Sequence, residues 1–411
     1  MKIQNDNCRM CKGSSFSVVI DMGEQPLVNS LVSVNDLAND TAGTEVWPLV
    51  VERCNDCGLV QIVDIVDANK IYRDEDYLYF SGDMPNLSEY FKDYAEYLKE
   101  NFITKEGELV VEIGSNDGIM LEHLKDKATV LGVDPASNVV SRALRRGIPT
   151  ISDFFSARLA KSIERDWGKA KVIYGNNCIA HLNNLYDLMD GVNILMPHNG
   201  TFAVECNYWG GMVKNKNYSL IYHDHFSYFS LLDWVDFLER NQEVWGMEVF
   251  DAWVTPAQGG SLRLFIGRIG EHEISDRFVD LVNEEKDTKL NSQETCDQFR
   301  EDALDRAHAL AWKVKSAVEK GKKVAGYGAA AKGFSILSLA GLMDKKYIQY
   351  FVDDSPAKQD KFTPVSFIPV MSRELAARSL PDVFVITAPN YADVIIEKEK
   401  AAGFKGEFIL P

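Results

Sequence analysis

The chain has 411 residues, 46% of them hydrophobic, and a formal net charge of −17. That length accommodates two or three domains, and so acidic a balance argues against nucleic acid or an anionic membrane as partner, because both require a basic face. No run approaches the roughly 18 apolar residues of a membrane-spanning helix, and the start, MKIQNDNCRMCKG, has no apolar signal segment, so a cytoplasmic location is expected.

Residues 1–70 form the first predicted unit. Four of the seven cysteines stand in two C-x-x-C knuckles, Cys8 with Cys11 and Cys54 with Cys57. Each knuckle points two thiolates at one ion, and two knuckles complete a tetrahedron with no open position, which predicts a structural zinc. EVWPLVVERC and GLVQIVDIV read as strands of a zinc-ribbon-like hairpin with a long insert. Cys178, Cys206 and Cys296 stand alone and read as small core residues. DYLYFSG follows as an irregular loop whose Tyr77 and Tyr79 are candidates to face a ligand. SEYFKDYAEYLKENF, apolar at helical spacing, predicts a helix packed on the core.

LVVEIGSNDG, at 109–118, is an apolar strand closed by a glycine turn. Helical IMLEHLKD and a second strand, TVLGVD, follow, the latter ending on Asp134, 20 residues past Gly114. Glycines let a ligand lie against such a turn, and the terminal acid accepts the hydroxyls of a ribose. Dinucleotide phosphates are held by G-x-G-x-x-G; here the pattern is E-x-G-x-x-x-G. Its acids, Glu112 and Asp117, repel a pyrophosphate and suit a sulfonium. The expected cofactor is therefore S-adenosylmethionine and the expected chemistry methyl transfer. Glu112, Gly114, Asn116, Asp117, Asp134 and Asn176 are the candidate donor contacts. PTIS, KVIYGNN, GTFAVEC, MEVFDAWV and GSLRLFIGR complete, over 71–270, a sheet that is parallel apart from an antiparallel final strand.

Within this unit lies NYSLIYHDHFSYFS, where His223, Asp224 and His225 stand together between Tyr222 and Tyr228. If extended, the segment puts His223, His225 and Ser227 on one face. A carboxylate beside an imidazole orients it for general-base work near neutral pH. His181, just after the fourth strand, falls at the carboxyl edge of the sheet, over the donor. H-x-H as a metal pair lacks a third ligand nearby. Residues 271–320 read as a charged helical connector, and 271–411 as a whole as connector plus a smaller α/β domain. That domain opens with KKVAGYGAAAKG, a second strand–glycine–helix unit with Asp353 some 25 residues on.

With the knuckles, EIGSNDG, GNNCIAHL, YHDHFSY, GGSLR and GYGAAAKG in this order, the chain resembles the nucleotide-linked ketosugar C-3-methyltransferases of deoxysugar pathways along nearly its whole length. The resemblance implies an α/β protein of three parts: a zinc-ribbon-like N-terminal domain, a central class I methyltransferase Rossmann-like domain and a C-terminal Rossmann-like domain that binds the sugar nucleotide. It implies methylation of carbon 3 of a TDP-4-keto-deoxysugar through an enolate. His225 is the expected base, oriented by Asp224, with His181 and Tyr222 hydrogen bonding the enolate oxygen; the roles are exchangeable. Lys332, with Tyr327 nearby, is the candidate for the pyrophosphate, and Asp353, Tyr77, Tyr79, Lys214 and Arg263 complete the candidate substrate contacts. The sequence departs from the family at Asp224, where Glu is usual, at Gln258, where His is common, and at Pro389-Asn390, where Trp-Asn is common. O-methylation of another small molecule, an NAD-dependent oxidoreductase using the second glycine loop, and a non-catalytic zinc scaffold are the alternatives. The oligomeric state stays open, a monomer being compatible with the sequence.

Overall fold

The computed structural model describes residues 2–4, 6–28, 30–38, 45–72, 79–84 and 87–411, so Tyr77 lies outside the described residues. The N-terminal part contributes β1 (Lys2–Gln4), β2 (Phe16–Gln25), β3 (Val32–Ser33), β4 (Trp47–Cys54), β5 (Val60–Ile62) and β6 (Asp64–Val66). β2, β4 and β5 form an antiparallel meander, and its ends bring the two knuckles together.

The central part adds β7 (Leu109–Ile113), β8 (Thr129–Val133), β9 (Thr150–Ile151), β10 (Ala170–Asn176), β11 (Thr201–Asn207), β12 (Ser227–Tyr228), β13 (Met247–Thr255) and β14 (Ser261–Arg268). Seven of these make one sheet in the order β13-β14-β11-β10-β7-β8-β9, with β14 antiparallel to both neighbours. Every residue of β7 and β11 is buried, as expected of strands covered on both faces, which is why they read as unbroken apolar runs. The chain order reverses between β7 and β10, so the turns after these two strands open into one crevice at the carboxyl edge.

The helices Asp276–Asp287 and Gln293–Glu319 form the predicted connector; the second packs on β2 and β15. The C-terminal part adds β15 (Val324–Tyr327), β16 (Phe351–Val352), β17 (Lys361–Phe362), β18 (Pro369–Met371), β19 (Val383–Ile386) and β20 (Glu407–Ile409). Its sheet runs β20-β19-β15-β16-β18-β17-β3, a second doubly wound sheet with its reversal between β15 and β19.

Two strands cross the boundaries drawn at 70 and 270. β12, from YHDHFSY, pairs with β5 of the zinc unit, and β3 pairs with β17 at the edge of the C-terminal sheet. Only Ser227–Tyr228 of the histidine motif is extended. Residues 222–225 instead form a turn, closed by the His225 N–H donating to the Tyr222 carbonyl at 3.0 Å, so the expected common face of His223 and His225 does not form. IMLEHLKD is helical only over Ile119–Glu122. No helix among the described residues is long and apolar enough to cross a membrane.

Candidate active site and metal centre

Gly114 and Gly118 bracket the turn after β7 at φ 68° and 75°, left-handed conformations that favour glycine. A Cβ on Gly114 would also fall 2.5 Å from the Cys178 Cβ. Cys178, read as a core residue, therefore belongs to the turn; its thiol donates to the Ile113 carbonyl at 2.9 Å. Burial, then Glu112 and Asp134, push its pKa well up, which keeps it an unreactive thiol.

Asp134 accepts the Asn116 N–H at 2.9 Å and the Ala136 N–H at 2.9 Å. Burial raises its pKa to about 6 against the pull of those two N–H groups. Glu112 accepts from the Tyr174 hydroxyl at 3.1 Å, and burial, then the charges of Asp134 and Asp117, push its pKa well above the carboxylate range. Among the described residues no Lys or Arg offsets the charge of these two acids. At the end of β10, Asn176 donates to the Met120 sulfur at 2.9 Å while its buried Oδ1 has no hydrogen-bond partner. Acceptors in excess of donors fit a ligand with a ribose diol, an ammonium and a sulfonium, so these residues suit S-adenosylmethionine.

Asn116 and Asp117 face elsewhere. Asp117 is fully buried, 3.3 Å from both the Arg142 Nε and the Arg146 Nη2, and accepts the Gly82 N–H at 3.2 Å. Asn116 accepts the Ser81 N–H at 2.9 Å and donates to the Tyr79 carbonyl at 3.0 Å. The pair pins residues 79–82 onto the turn. Expected beside the methionine, Asp117 has its charge taken by two arginines. Tyr79 is exposed above this clamp, within electrostatic reach of Tyr391 from the second crevice.

His181 ends the 3-10 turn Ile179–His181. Its ring lies in a stack: Tyr72 at 5.6 Å on one side, His225 at 5.2 Å on the other, then Tyr222 at 4.1 Å from His225, with Tyr228 edge-on at 6.4 Å. His225 Nδ1 is 2.7 Å from the Leu220 carbonyl, with the Asn207 amide 2.9 Å from the same nitrogen. The Leu220 carbonyl only accepts, so with Asn207 turned to present its amide oxygen rather than its NH2, Nδ1 carries the proton and Nε2 keeps the basic lone pair. A backbone carbonyl thus holds Nδ1, and Asp224 is buried within electrostatic reach of Tyr228. Burial, and then His181 and Lys332, hold the His225 pKa well below its ordinary value. Burial lowers His181 to about 4, and its Nε2 has no hydrogen-bond partner. His223 turns away from His225, its Nε2–H donating to the Trp47 carbonyl at 3.3 Å.

From the C-terminal part, Lys332 stands in the first turn of the helix Ala331–Leu339, and burial lowers its pKa to about 8. Ser335 on that helix donates to the Ile221 carbonyl at 2.7 Å, which fixes the helix against the histidine turn. Asp353 accepts the Ala329 N–H at 2.7 Å and the Ser355 N–H at 2.9 Å, repeating at the second glycine turn what Asp134 does at the first. The Tyr327 hydroxyl is engaged by Asp354 at 3.3 Å. Arg263 is 6% exposed; it pairs with the buried Glu205 at 2.6 Å and lies 3.4 Å over the Tyr94 ring. It neutralises an internal acid and is not presented to a ligand. Lys214 is exposed at the end of the helix Trp209–Lys214. Tyr72, Cys178, Asn207 and Leu220 were not among the candidates; only Asn207, at the carboxyl end of a parallel strand, had a positional signal.

The four knuckle sulfurs lie within 4.8 Å of one another, with Cys8–Cys57 at 3.6 Å and Cys11–Cys54 at 3.5 Å. Tetrahedral zinc with thiolates at about 2.3 Å has sulfur–sulfur edges of about 3.8 Å, so the set fits zinc. Gln61 donates to Cys8 Sγ at 3.2 Å and the Gly13 N–H to Cys11 Sγ at 3.3 Å. Buried Arg9, between the first two ligands, donates to Gln61 at 2.9 Å and to the Phe226 carbonyl at 3.2 Å. The metal unit is thereby strapped to the residue that follows His225.

Three family models match in succession: a zinc binding domain at residues 8–72, a methyltransferase domain at 87–242 and a C-methyltransferase C-terminal domain at 256–411. The chain is 32% identical to C-methyltransferase NovU of Streptomyces niveus over 410 residues, 99% of this chain and 95% of that one. Similar solved structures include the plantazolicin methyltransferase BpumL in complex with SAH, at 12% identity and a TM-score of 0.34 over 43% of this chain and 82% of that one. The magnesium protoporphyrin IX methyltransferase ChlM of Synechocystis PCC 6803 with bound SAH is similar at 16% identity and a TM-score of 0.34, over 44% and 83%.

Proposed function

The chain belongs to the C-methyltransferase family, as an S-adenosylmethionine-dependent enzyme with a zinc-binding N-terminal domain, and from that premise we propose that it methylates carbon 3 of a TDP-linked 4-keto-deoxysugar through an enolate. The observation that carries this reading is the docking of the second glycine unit on the histidine turn: Ser335 donates to the Ile221 carbonyl at 2.7 Å, and Lys332, on the same helix, lies within electrostatic reach of an imidazole whose Nδ1 is held by Leu220.

A ketone at carbon 4 acidifies the carbon-3 proton, because the resulting anion spreads onto oxygen. His225 Nε2 accepts that proton; the Leu220 carbonyl holds the ring in the tautomer the step needs. Burial disfavours the imidazolium, so the step relies on negative charge arriving with the substrate. Lys332 meets the pyrophosphate or the enolate oxygen, and His181 and Tyr222, stacked on either side of His225, are the hydrogen-bond candidates for that oxygen. Such base catalysis contributes about 10²–10⁴-fold. When bound, the methyl donor supplies an electrophilic methyl group on sulfur; Asp134, Glu112 and Asn176 fix its position so that carbon 3 lies in line. O-methylation remains the second outcome, and NMR of the product distinguishes a new carbon–methyl from an oxygen–methyl bond.

The direct test is carbon-3 proton exchange. Wild-type enzyme with S-adenosylhomocysteine and a TDP-4-keto-deoxysugar in deuterated water is expected to wash out that proton, and His225→Asn to abolish both exchange and turnover while keeping donor affinity. Near-normal exchange by His225→Asn moves the base to His181 or Tyr222.

A further inference from the structure

Asn207 is the last residue of β11 and is buried. Its amide stands 2.9 Å from His225 Nδ1, the nitrogen that the Leu220 carbonyl meets at 2.7 Å. Two partners from separate segments thus converge on one ring nitrogen. An Asn207 NH2 donating to Nδ1 would leave a lone pair there facing the Leu220 oxygen at hydrogen-bond distance, which is repulsive. The amide oxygen in that place gives the Nδ1–H two acceptors in a three-centre bond. The amide and the ring are held in register just beyond the contact. Tyr208 bridges to Phe229, and the Trp209 N–H donates to the Phe229 carbonyl at 2.8 Å, tying the end of β11 to the segment that leaves β12.

The surroundings of the ring give this contact its weight. His181 stacks on it from the 3-10 turn, Tyr222 and Asp224 belong to its own turn, Tyr228 comes from β12 and Lys332 from the helix Ala331–Leu339. Burial disfavours the imidazolium most, then His181, and Lys332 also opposes it, while the Leu220 carbonyl favours it. A second acceptor on the same proton adds to the favourable side. By alternation along β11, Asn207 shares a face with Glu205, which already takes up Arg263. A neutral amide supplies the acceptor without a second buried charge on that face.

We propose that Asn207 is a positioning residue for carbon-3 deprotonation: its amide oxygen shares the Nδ1–H with the Leu220 carbonyl, so that Nε2 is the basic nitrogen and the imidazolium formed there is held by two acceptors. This role rests on His225 as the base. In the step the bond from carbon 3 to hydrogen breaks, its electron pair passes into the enolate and onto the carbon-4 oxygen, and the proton goes to Nε2. The Nδ1–H stays in place. It becomes a stronger donor as the ring gains charge, so both of its hydrogen bonds tighten toward the transition state.

The test uses the zinc-loaded full chain. Long-range 15N–1H spectra of 15N-histidine-labelled protein with S-adenosylhomocysteine, the His225 signals assigned by their absence from His225→Asn, are expected to show the Nδ1–H tautomer. Asn207→Leu removes the acceptor at similar volume. It is expected to lower kcat about 2–30-fold, the difference between hydrogen bonds to a charged and to a neutral group, with acceptor KM within about two-fold. Asn207→Asp offers a carboxylate to the same N–H, which raises the His225 pKa, so kcat is expected to fall at higher pH than in wild type as the medium is acidified. A role in packing alone moves neither the tautomer nor that limb. Zinc content and S-adenosylhomocysteine affinity establish that each variant is folded, and the wild-type spectrum decides the tautomer whichever variant folds. An Nε2–H tautomer in wild type overturns the proposal, as do wild-type kcat in folded Asn207→Leu and an acid limb that folded Asn207→Asp leaves unmoved. Failure of His225 as the base is read separately, as carbon-3 exchange that survives in His225→Asn.

Discussion

Asp117→Asn separates the two sides of the active site. The substitution keeps the side-chain shape and an acceptor for the Gly82 N–H, but removes the charge that Arg142 and Arg146 each face at 3.3 Å. Neither arginine is orphaned, since Arg142 retains Asp83 and Arg146 retains Glu122 at 3.1 Å. A hydrogen bond to a charged group contributes about 1.5–3 kcal/mol against about 1 for a neutral one, and the long, partly exposed arginine contacts belong at the low end. The expected loss is about 1–2 kcal/mol, concentrated in the hold on residues 79–82. Spent on the acceptor side, that is a rise of about 5–30-fold in the acceptor KM, with donor affinity within about two-fold of wild type. Calorimetry with S-adenosylhomocysteine and steady-state kinetics with the sugar nucleotide read the two quantities separately. A loss of donor affinity as large as the rise in acceptor KM refutes the reasoning and returns Asp117 to the methionine.

Three further outcomes are expected. Protein purified without chelators carries one zinc per chain, and Cys54→Ser loses zinc, β12 and activity together, because a closed thiolate site supplies folding free energy of about 10–16 kcal/mol; full activity in zinc-free protein contradicts this. Lys332 is protonated below its lowered pKa of about 8 and neutral above it, so kcat/KM falls as pH rises through about 8. Lys332→Arg carries that limb to higher pH, and an unmoved limb assigns it to another group. Arg263→Met leaves the fully buried Glu205 without its cation and is expected to cost about 3–5 kcal/mol in urea unfolding. Acceptor KM per folded molecule stays near wild type; the reverse pattern makes Arg263 a substrate contact.

The knuckles were legible because their spacing already encodes the geometry: two thiols on each tight turn leave little freedom in where the ion sits. The strands of the central sheet and its antiparallel last member were legible too, since strands covered on both faces are apolar throughout and the glycine turn fixes where the crevice opens. Asp117 was not. An acid in a glycine turn reads the same whether it faces a ligand or the arginines of a helix that begins at Ser137. The turn at 222–225 was missed because H-D-H contains neither Gly nor Pro, the usual signs of a turn, and alternation suggested a strand. Tyr72 joined the histidine stack without any local signal, because the contact is between residues more than a hundred positions apart. Arg263 read as a substrate contact until its partner, Glu205 on the adjacent strand, supplied the reason for its charge.

The exchange of β3 and β12 between sheets bears on how such an enzyme is inherited and made. β3 leaves the ribosome long before β17 exists to receive it, and β5 waits in the same way for β12, so the zinc unit's sheet stays incomplete, and β3 unpaired, until sequence well beyond residue 70 has emerged. A recombination event that replaced residues 1–70 alone would deliver a zinc unit whose edge must recognise a foreign β12 and whose β3 must recognise a foreign β17. Truncation at that boundary would not give a smaller methyltransferase; it would bare two sheet edges in one cut, the kind of surface that pairs with neighbouring molecules. Selection therefore acts on the three parts as one heritable block, and a chimera meant to change acceptor preference has to carry residues 32–33 and 227–228 with the sheets they complete.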